Sequence, residues 1–186
     1  MKKIGTQTIE TERLILRRFT VDDSGDMYRN WASDPEVTKY LTWPPHESEE
    51  FTKSLLADWV GRYEKGEVFH WAIALKDSGE VIGDISVVRL YEEVEAAEIG
   101  YCMARRLWGK GIMPEALKAV EDYLFDRAEF NRVAACHDPE NAKSGRVMQK
   151  AGMQYEGTRR KAIKSNQGVT DVAMYAIIKT DRKQSK

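Results

Sequence analysis

The segment Arg106-Leu107-Trp108-Gly109-Lys110-Gly111 is where residue types and spacing first suggest chemistry. It leads from an expected strand into an expected helix, so its backbone N–H groups can turn toward an anion while the helix dipole adds partial positive charge. Gly109 and Gly111 can take positive φ and let a pyrophosphate approach the main chain, and Arg106 and Lys110 offer charge. A Gly-x-Gly before a helix can equally be no more than a tight connection. Two nucleotide motifs are excluded. No Gly-Lys-Ser/Thr ending follows, and Pro114 stands where a Gly-x-Gly-x-x-Gly loop needs its third glycine.

Other chemistry-bearing residues are more scattered. Cys102 and Cys136 are the only cysteines. Their long gap lacks metal-ligand spacing and argues against both a disulfide framework and a zinc cluster, so a reducing cytoplasm is the expected compartment. The three histidines, His46, His70 and His137, show no metal spacing either and read as ordinary polar or packing residues; no metal is implied. Glu92, Glu93 and Glu95 could attract a cationic amine, although a charged connection is more often solvated surface. The Trp43-Pro44-Pro45-His46 loop could line an acceptor site, or Trp43 could anchor the core.

The elements that must position these residues follow from periodicity. Arg13 to Phe19 alternates as a first strand after a polar lead-in over residues 1–10, and Asp22 and Asp23 suit a helix start. A helical pattern after Ser48 carries Phe51, Leu55, Leu56, Trp59 and Tyr63, and ends near Gly66. Phe69 to Leu75 and Val81 to Leu90, joined by Lys76-Asp77-Ser78-Gly79, read as a hairpin. A third strand is expected over Ala96 to Met103. A long helix then has Pro114 near its first turn and a stripe of Leu117, Val120, Leu124 and Phe125. Arg132 to Cys136 reads as a strand and Ala142 to Ala151 as a helix closed by Gly152. Two more strands are expected near Tyr155 to Lys161 and Val169 to Ile178. This order indicates a mixed α/β sheet.

The 186 residues, 42% of them hydrophobic, suit one domain, with residues 182–186 as a polar tail. Twenty-nine basic against 30 acidic residues leave no overall field that would favour nucleic acid or an anionic membrane. No apolar run is long enough to span a bilayer, and the Lys2-Lys3 start lacks the apolar stretch of a signal peptide.

Arg106-x-x-Gly109-x-Gly111 resembles the Arg/Gln-x-x-Gly-x-Gly/Ala pyrophosphate loop of the GNAT superfamily of acetyltransferases. The wider stretches from Ala97 to Met103 and from Trp108 to Ala116 look like its RimJ/RimL branch, which acetylates ribosomal-protein N-termini. Asn141-Ala142-Lys143-Ser144, followed by Met148 to Met153, is similar to the family's Asn-x-x-Ser helix and its Lys-x-Gly-Phe ending, with Met153 in place of Phe. Thr11 to Arg17 also matches the branch. The resemblance implies a mostly antiparallel sheet with a V-shaped opening between the strands at Ala96 to Met103 and Arg132 to Cys136, flanked by helices. It implies acetyl-coenzyme A as cosubstrate, with pantetheine along the first strand contacting the main chain of Cys102 and Met103. The loop from Arg106 through Trp108, Gly109, Lys110, Gly111 and Ile112, together with Asn141 and Ser144, would complete the cofactor site.

The implied reaction is direct attack by a bound amine, with a strand N–H at or near Tyr101 or Cys102 stabilising the oxyanion. A Cys102 acyl carrier has no identifiable His partner in the sequence. Where many GNAT enzymes carry a proton-donating Tyr, Met148 stands here, and Ser144 lies one turn earlier on the same face. In the RimJ/RimL branch the matching serine is a proposed proton donor, although Ser144 can equally support the helix start or the cofactor. Asn141 can cap the helix, bind cofactor, or both. Glu98 could accept the amine proton directly or through water, while a solvated or structurally paired carboxylate is the simpler reading. Where some RimL-like proteins carry a Glu, the approximate match is Ile163. An α-amine, of reference pKa about 7.7–8.0, needs less help than a lysine amine at about 10.4, which favours a protein or peptide N-terminus as acceptor. A polyamine or antibiotic acceptor, a non-catalytic coenzyme A-binding domain and a homodimer all stay open.

Overall fold

The structure, a computed structural model, describes residues 1–66 and 68–184. Alternation of buried and half-exposed residues makes β2 (Leu14–Arg17) a strand, and it pairs with a short β1 (Ile9–Glu10) in the lead-in. That lead-in is not loose: Thr6 is buried, and its hydroxyl donates to the carbonyl of Val68 at 2.7 Å and accepts the N–H of His70 at 2.8 Å. Two short helices, α1 (Ser24–Met27) and α2 (Pro35–Thr38), precede α3 (Glu49–Arg62), whose first turn is capped by the Ser48 hydroxyl accepting from the N–H of Phe51.

The hairpin β3 (His70–Leu75) and β4 (Val81–Tyr91) leads into β5 (Ala96–Met103), and α4 (Ile112–Asp126) crosses over to β6 (Arg132–His137). The chain continues through α5 (Ala142–Ala151) to β7 (Gln154–Ser165) and β8 (Gly168–Ile178). The eight strands form one mixed sheet in the order β1-β2-β3-β4-β5-β6-β8-β7, antiparallel except at β5 and β6. The expected stripe of α4 is there, since Leu117, Val120, Leu124 and Phe125 are all fully buried. Together with Met148 and Ala151 of α5 they cover the face of Trp71, Ile73, Ile85 and Ile99. The opposite face, with Ala72 and Ala74, is covered by Phe19, Trp31 and Leu56 from the first half of the chain. Each such large side chain contributes roughly 1.5–3 kcal/mol on burial.

Arg182, expected in a polar tail, is held. It pairs with Asp122 and Asp126 at 2.6 Å and lies over the Phe125 ring. Residues 185 and 186 of that tail lie outside the described residues. Among the described residues no helix is long and apolar enough to cross a membrane.

Candidate active site

The parallel pairing of β5 with β6 runs from Ala96↔Arg132 to Ile99↔Ala135 and stops there, although both strands continue. Past Ile99 they diverge, and this is the V-shaped opening. Its β5 edge can be read from register. The N–H of Ala104 bonds the carbonyl of Ile82, and Gly83 is paired with Met103, so the hydrogen-bonded rungs are 82/104, 84/102 and 86/100. The main chain of Cys102 is therefore committed to β4, whereas the N–H and C=O of Tyr101 and Met103 face the opening. The Met103 carbonyl accepts from the Trp108 indole at 3.0 Å, which leaves its N–H. Of the two expected oxyanion donors, the register leaves Tyr101.

Helices α4 and α5 both begin where β5 and β6 end. Gly111 is the N-cap of α4, with φ of 76° and no side-chain cap, and Gly109 has φ of 80°. The first-turn N–H groups of α4 are thus left without a side-chain acceptor, as an anion site requires. Arg106, expected to offer charge, behaves differently. Arg106 is paired with Glu80 at 2.5 Å and Arg105 with Asp34 at 3.0 Å, so nearby carboxylates neutralise both. Trp108 is half-buried and packs the loop down, with the Lys143 ammonium 4.4 Å from its ring centre. A strut from β2 was not anticipated: Arg13 reaches the Lys110 carbonyl at 3.0 Å and bonds Glu115 in the first turn of α4. Glu115 also accepts from the Thr11 hydroxyl at 2.6 Å.

Asn141 is the N-cap of α5, its side chain accepting from the N–H of Ser144 at 3.4 Å. Gly145 brings α5 against β6, where an added Cβ would meet the His137 ring at 2.7 Å. Ser144 is thereby held at the opening, its Oγ 3.0 Å from the Tyr101 hydroxyl, which also donates to the Ser144 carbonyl at 3.1 Å. Burial pushes the Tyr101 phenol up, so it stays protonated. Met148 is 1% exposed inside the core, so nothing on α5 takes the place of the absent Tyr at that position.

A cavity of about 780 Å³ extends from this opening across the β3–β4–β5 floor. Glu98 lines it but is structurally paired: one oxygen accepts from the Tyr91 hydroxyl at 3.1 Å and the other from the Cys136 thiol at 3.7 Å. Burial, then the Asp84 carboxylate beside it, pushes the Cys102 thiol well above its usual range, which removes it as a thiolate nucleophile. The Trp43 loop does line the cavity and forms its roof, tied down by Asn166 of the β7–β8 turn. Ile163 also faces in. Glu92 and Glu95 do not line it. They pair with Lys3 and with the N-terminal amine.

Sequence reasoning missed His70. Rather than a packing residue alone, it lines the cavity with its Nε2 2.9 Å from Asp84 Oδ2, and the Cys102 thiol donates to the other Asp84 oxygen at 2.8 Å. The hairpin turn was a usable signal for bringing strands 70–75 and 81–91 together. A bulge between Ile73 and Ala74 then shifts register by one residue, which pattern alone does not reveal.

Comparison with known proteins agrees with this architecture. The profile of the family described as Acetyltransferase (GNAT) domain matches residues 13–154. The chain belongs to the GNAT acetyltransferase family. It is 33% identical to the N-acetyltransferase p20 of Bacillus licheniformis, over 94% of this chain and 98% of that protein. It is 31% identical to the ribosomal-protein-serine acetyltransferase of Escherichia coli, over 74% of this chain and 76% of that one. A GNAT-family acetyltransferase from Bacillus anthracis superposes with a TM-score of 0.82 at 29% identity, covering 92% of this chain and 98% of its own. This GNAT protein is therefore an N-acetyltransferase with RimJ/RimL-like relatives.

Proposed function

We propose that this GNAT enzyme transfers acetyl from acetyl-coenzyme A directly to the N-terminal α-amine of a protein or peptide. The observation that carries the reading is the opening between β5 and β6, which gathers two helix N-termini, the Tyr101 main chain and the Ser144 hydroxyl around one passage. Acetyl-coenzyme A supplies an acyl group activated as a thioester. The N–H groups of Gly109, Gly111 and Ile112 hold its pyrophosphate, supported by the Lys110 side chain. The Met103 N–H meets the pantetheine arm as a strand edge would. Tyr101 N–H points at the thioester carbonyl oxygen, where negative charge develops as the amine attacks.

The departing sulfur needs a proton. In this reading the Ser144 hydroxyl, 3.0 Å from the Tyr101 hydroxyl at the opening, turns its proton to the departing sulfur. Asn141 caps the helix that carries the serine and so fixes its place.

The acceptor assignment rests on the name of the Escherichia coli relative, the room in the roofed cavity, and the low basicity of α-amines. Thiol release from acetyl-coenzyme A, measured with tetrapeptides beginning in Ser, Ala or Met and with spermidine and an aminoglycoside, tests it. Peptide-dependent release, with the acetyl group mapped to residue one, is expected. Turnover of the polyamine or aminoglycoside alone would move the enzyme to small-molecule substrates. Tight cofactor binding without release would leave a binding module.

A further inference from the structure

The floor of the cavity carries a carboxylate–imidazole pair that no step above uses. On β3, β4 and β5, register sets His70, Ser86 and Gly100 in one rung and Ala72, Asp84 and Cys102 two rungs along, on the same face. Asp84 thus stands one strand spacing, about 5 Å, from the strand whose Tyr101 N–H faces the opening. His70 Nε2 is 2.9 Å from Asp84 Oδ2, and its Nδ1 makes no hydrogen bond to a described residue. The imidazole is held by two ring contacts, tilted 4.4 Å from the Trp59 ring centre and edge-on 5.2 Å from that of Phe19. Both members of the pair are about nine-tenths buried, with side-chain exposures of 12% and 14%, yet both line the cavity. A carboxylate on Nε2–H sets the tautomer that presents an accepting Nδ1.

We propose that Asp84 and His70 form the amine subsite of this enzyme, Asp84 drawing in the acceptor ammonium and His70 removing its proton. The assignment rests on the acetyl-transfer reading above and supplies the base that Glu98 and Ile163 do not. The acceptor enters as R–NH3⁺ and gives one proton to His70 Nδ1. Its lone pair then forms the C–N bond as the C–S bond breaks. A second amine proton is lost as the amide forms, and the sulfur gains one through Ser144. The imidazolium returns its proton to water, so the products are amide, free thiol and one proton.

The ionisable and charged groups around the pair are the Cys102 thiol on β5, the Tyr63 phenol at the end of α3, and Arg62. Tyr63 donates to the His70 carbonyl at 2.7 Å, and Arg62 is paired with Asp58 beside a smaller cleft shared with His70. None offers a cation within the pair's own hydrogen bonds.

The test measures kcat and KM for His70→Gln and Asp84→Asn against pH, with acetyl-coenzyme A saturating. Two tetrapeptide acceptors are used, one with a free α-amine and one blocked there with a free lysine amine. Acetyl-coenzyme A affinity and thermal unfolding are measured for each variant alongside. A general base is worth about 100-fold or more. We expect a loss of that order in kcat at pH 7 for both variants, larger for the lysine amine and shrinking as pH rises and the free amine becomes abundant, with cofactor affinity unchanged. A pH-independent loss equal for both amines, or retained turnover, would overturn the subsite. So would a wild type that binds acetyl-coenzyme A but acetylates neither amine. Absence of acetyl-coenzyme A binding by the wild type would instead overturn the acetyl-transfer reading. Should the variants unfold, a wild-type kcat/KM profile with no inflection assignable to His70 by NMR titration of its ring would do the same to the subsite.

Discussion

The proposed acetyl-donor side of the cavity and its proposed acceptor side are built from different materials. The donor side is main chain: two left-handed glycines, an uncapped helix N-terminus and a strand edge released by diverging neighbours. The proposed acceptor side is side chain: Trp59 of α3, the roof loop before it, and His70 and Asp84 on paired strands. Main-chain sites depend on a few contiguous residues that a short motif can specify. Side-chain sites depend on register, which one bulge can alter.

The sharpest way to break this contrast is at Gly111. Gly111→Trp puts a large side chain at φ of 76° in the phosphate loop and should abolish measurable acetyl-coenzyme A binding, a loss of about 100-fold or more by calorimetry, with the fold checked by circular dichroism. Retained affinity would remove the donor side from this loop. Ser144→Ala comes next. It should lower kcat about 100-fold while leaving cofactor affinity within about twofold, because the hydroxyl acts on the departing sulfur. An equal loss in affinity would make Ser144 a ligand and return it to the donor side.

The smallest effect on turnover is expected at Glu121, on the buried back of α4. Both its carboxyl oxygens are buried without a hydrogen bond, with Lys118 4.0 Å away, and burial pushes its pKa up to about 8. The unfolded chain ionises this group near 4.5, so between 4.5 and about 8 folding takes up a proton. Stability then falls as pH rises through that window, by up to about 1.4 kcal/mol per pH unit. Glu121→Gln should abolish this contribution, gaining stability over the wild type as pH rises from 5 to 8 in thermal unfolding, with kcat unchanged. A gap that stays constant with pH would show that the carboxyl finds a partner in solution.

This contrast also explains what the sequence made legible. The helix over Ala142 to Ala151, the strand over Ala96 to Met103 and the stripe of α4 follow from periods of 3.6 and 2, and they appear as expected. The turn of two left-handed glycines into α4 could be read because its glycines and the following helix are adjacent in sequence. Arg106 could not be placed, because Glu80, which neutralises it, lies 26 residues away. The strut from Arg13 to Lys110 crosses 97 residues and has no local signature. Nor had His70, whose partner depends on a hairpin register displaced at Ile73 and Ala74. The lead-in over residues 1–10 read only as polar because a buried Thr6 looks like a surface residue until its hydrogen bonds to Val68 and His70 are known.

Asn166 gives the roof a consequence of its own. From the tip of the β7–β8 hairpin its N–H bonds the Leu41 carbonyl at 3.0 Å, and its side chain bonds those of Thr38 and Trp43 at 2.9 and 2.7 Å. Three hydrogen bonds, each worth about 1 kcal/mol net, hold this roof over the cavity. A change at this hairpin tip alone therefore loosens the roof without touching Tyr101, Ser144, His70 or Asp84.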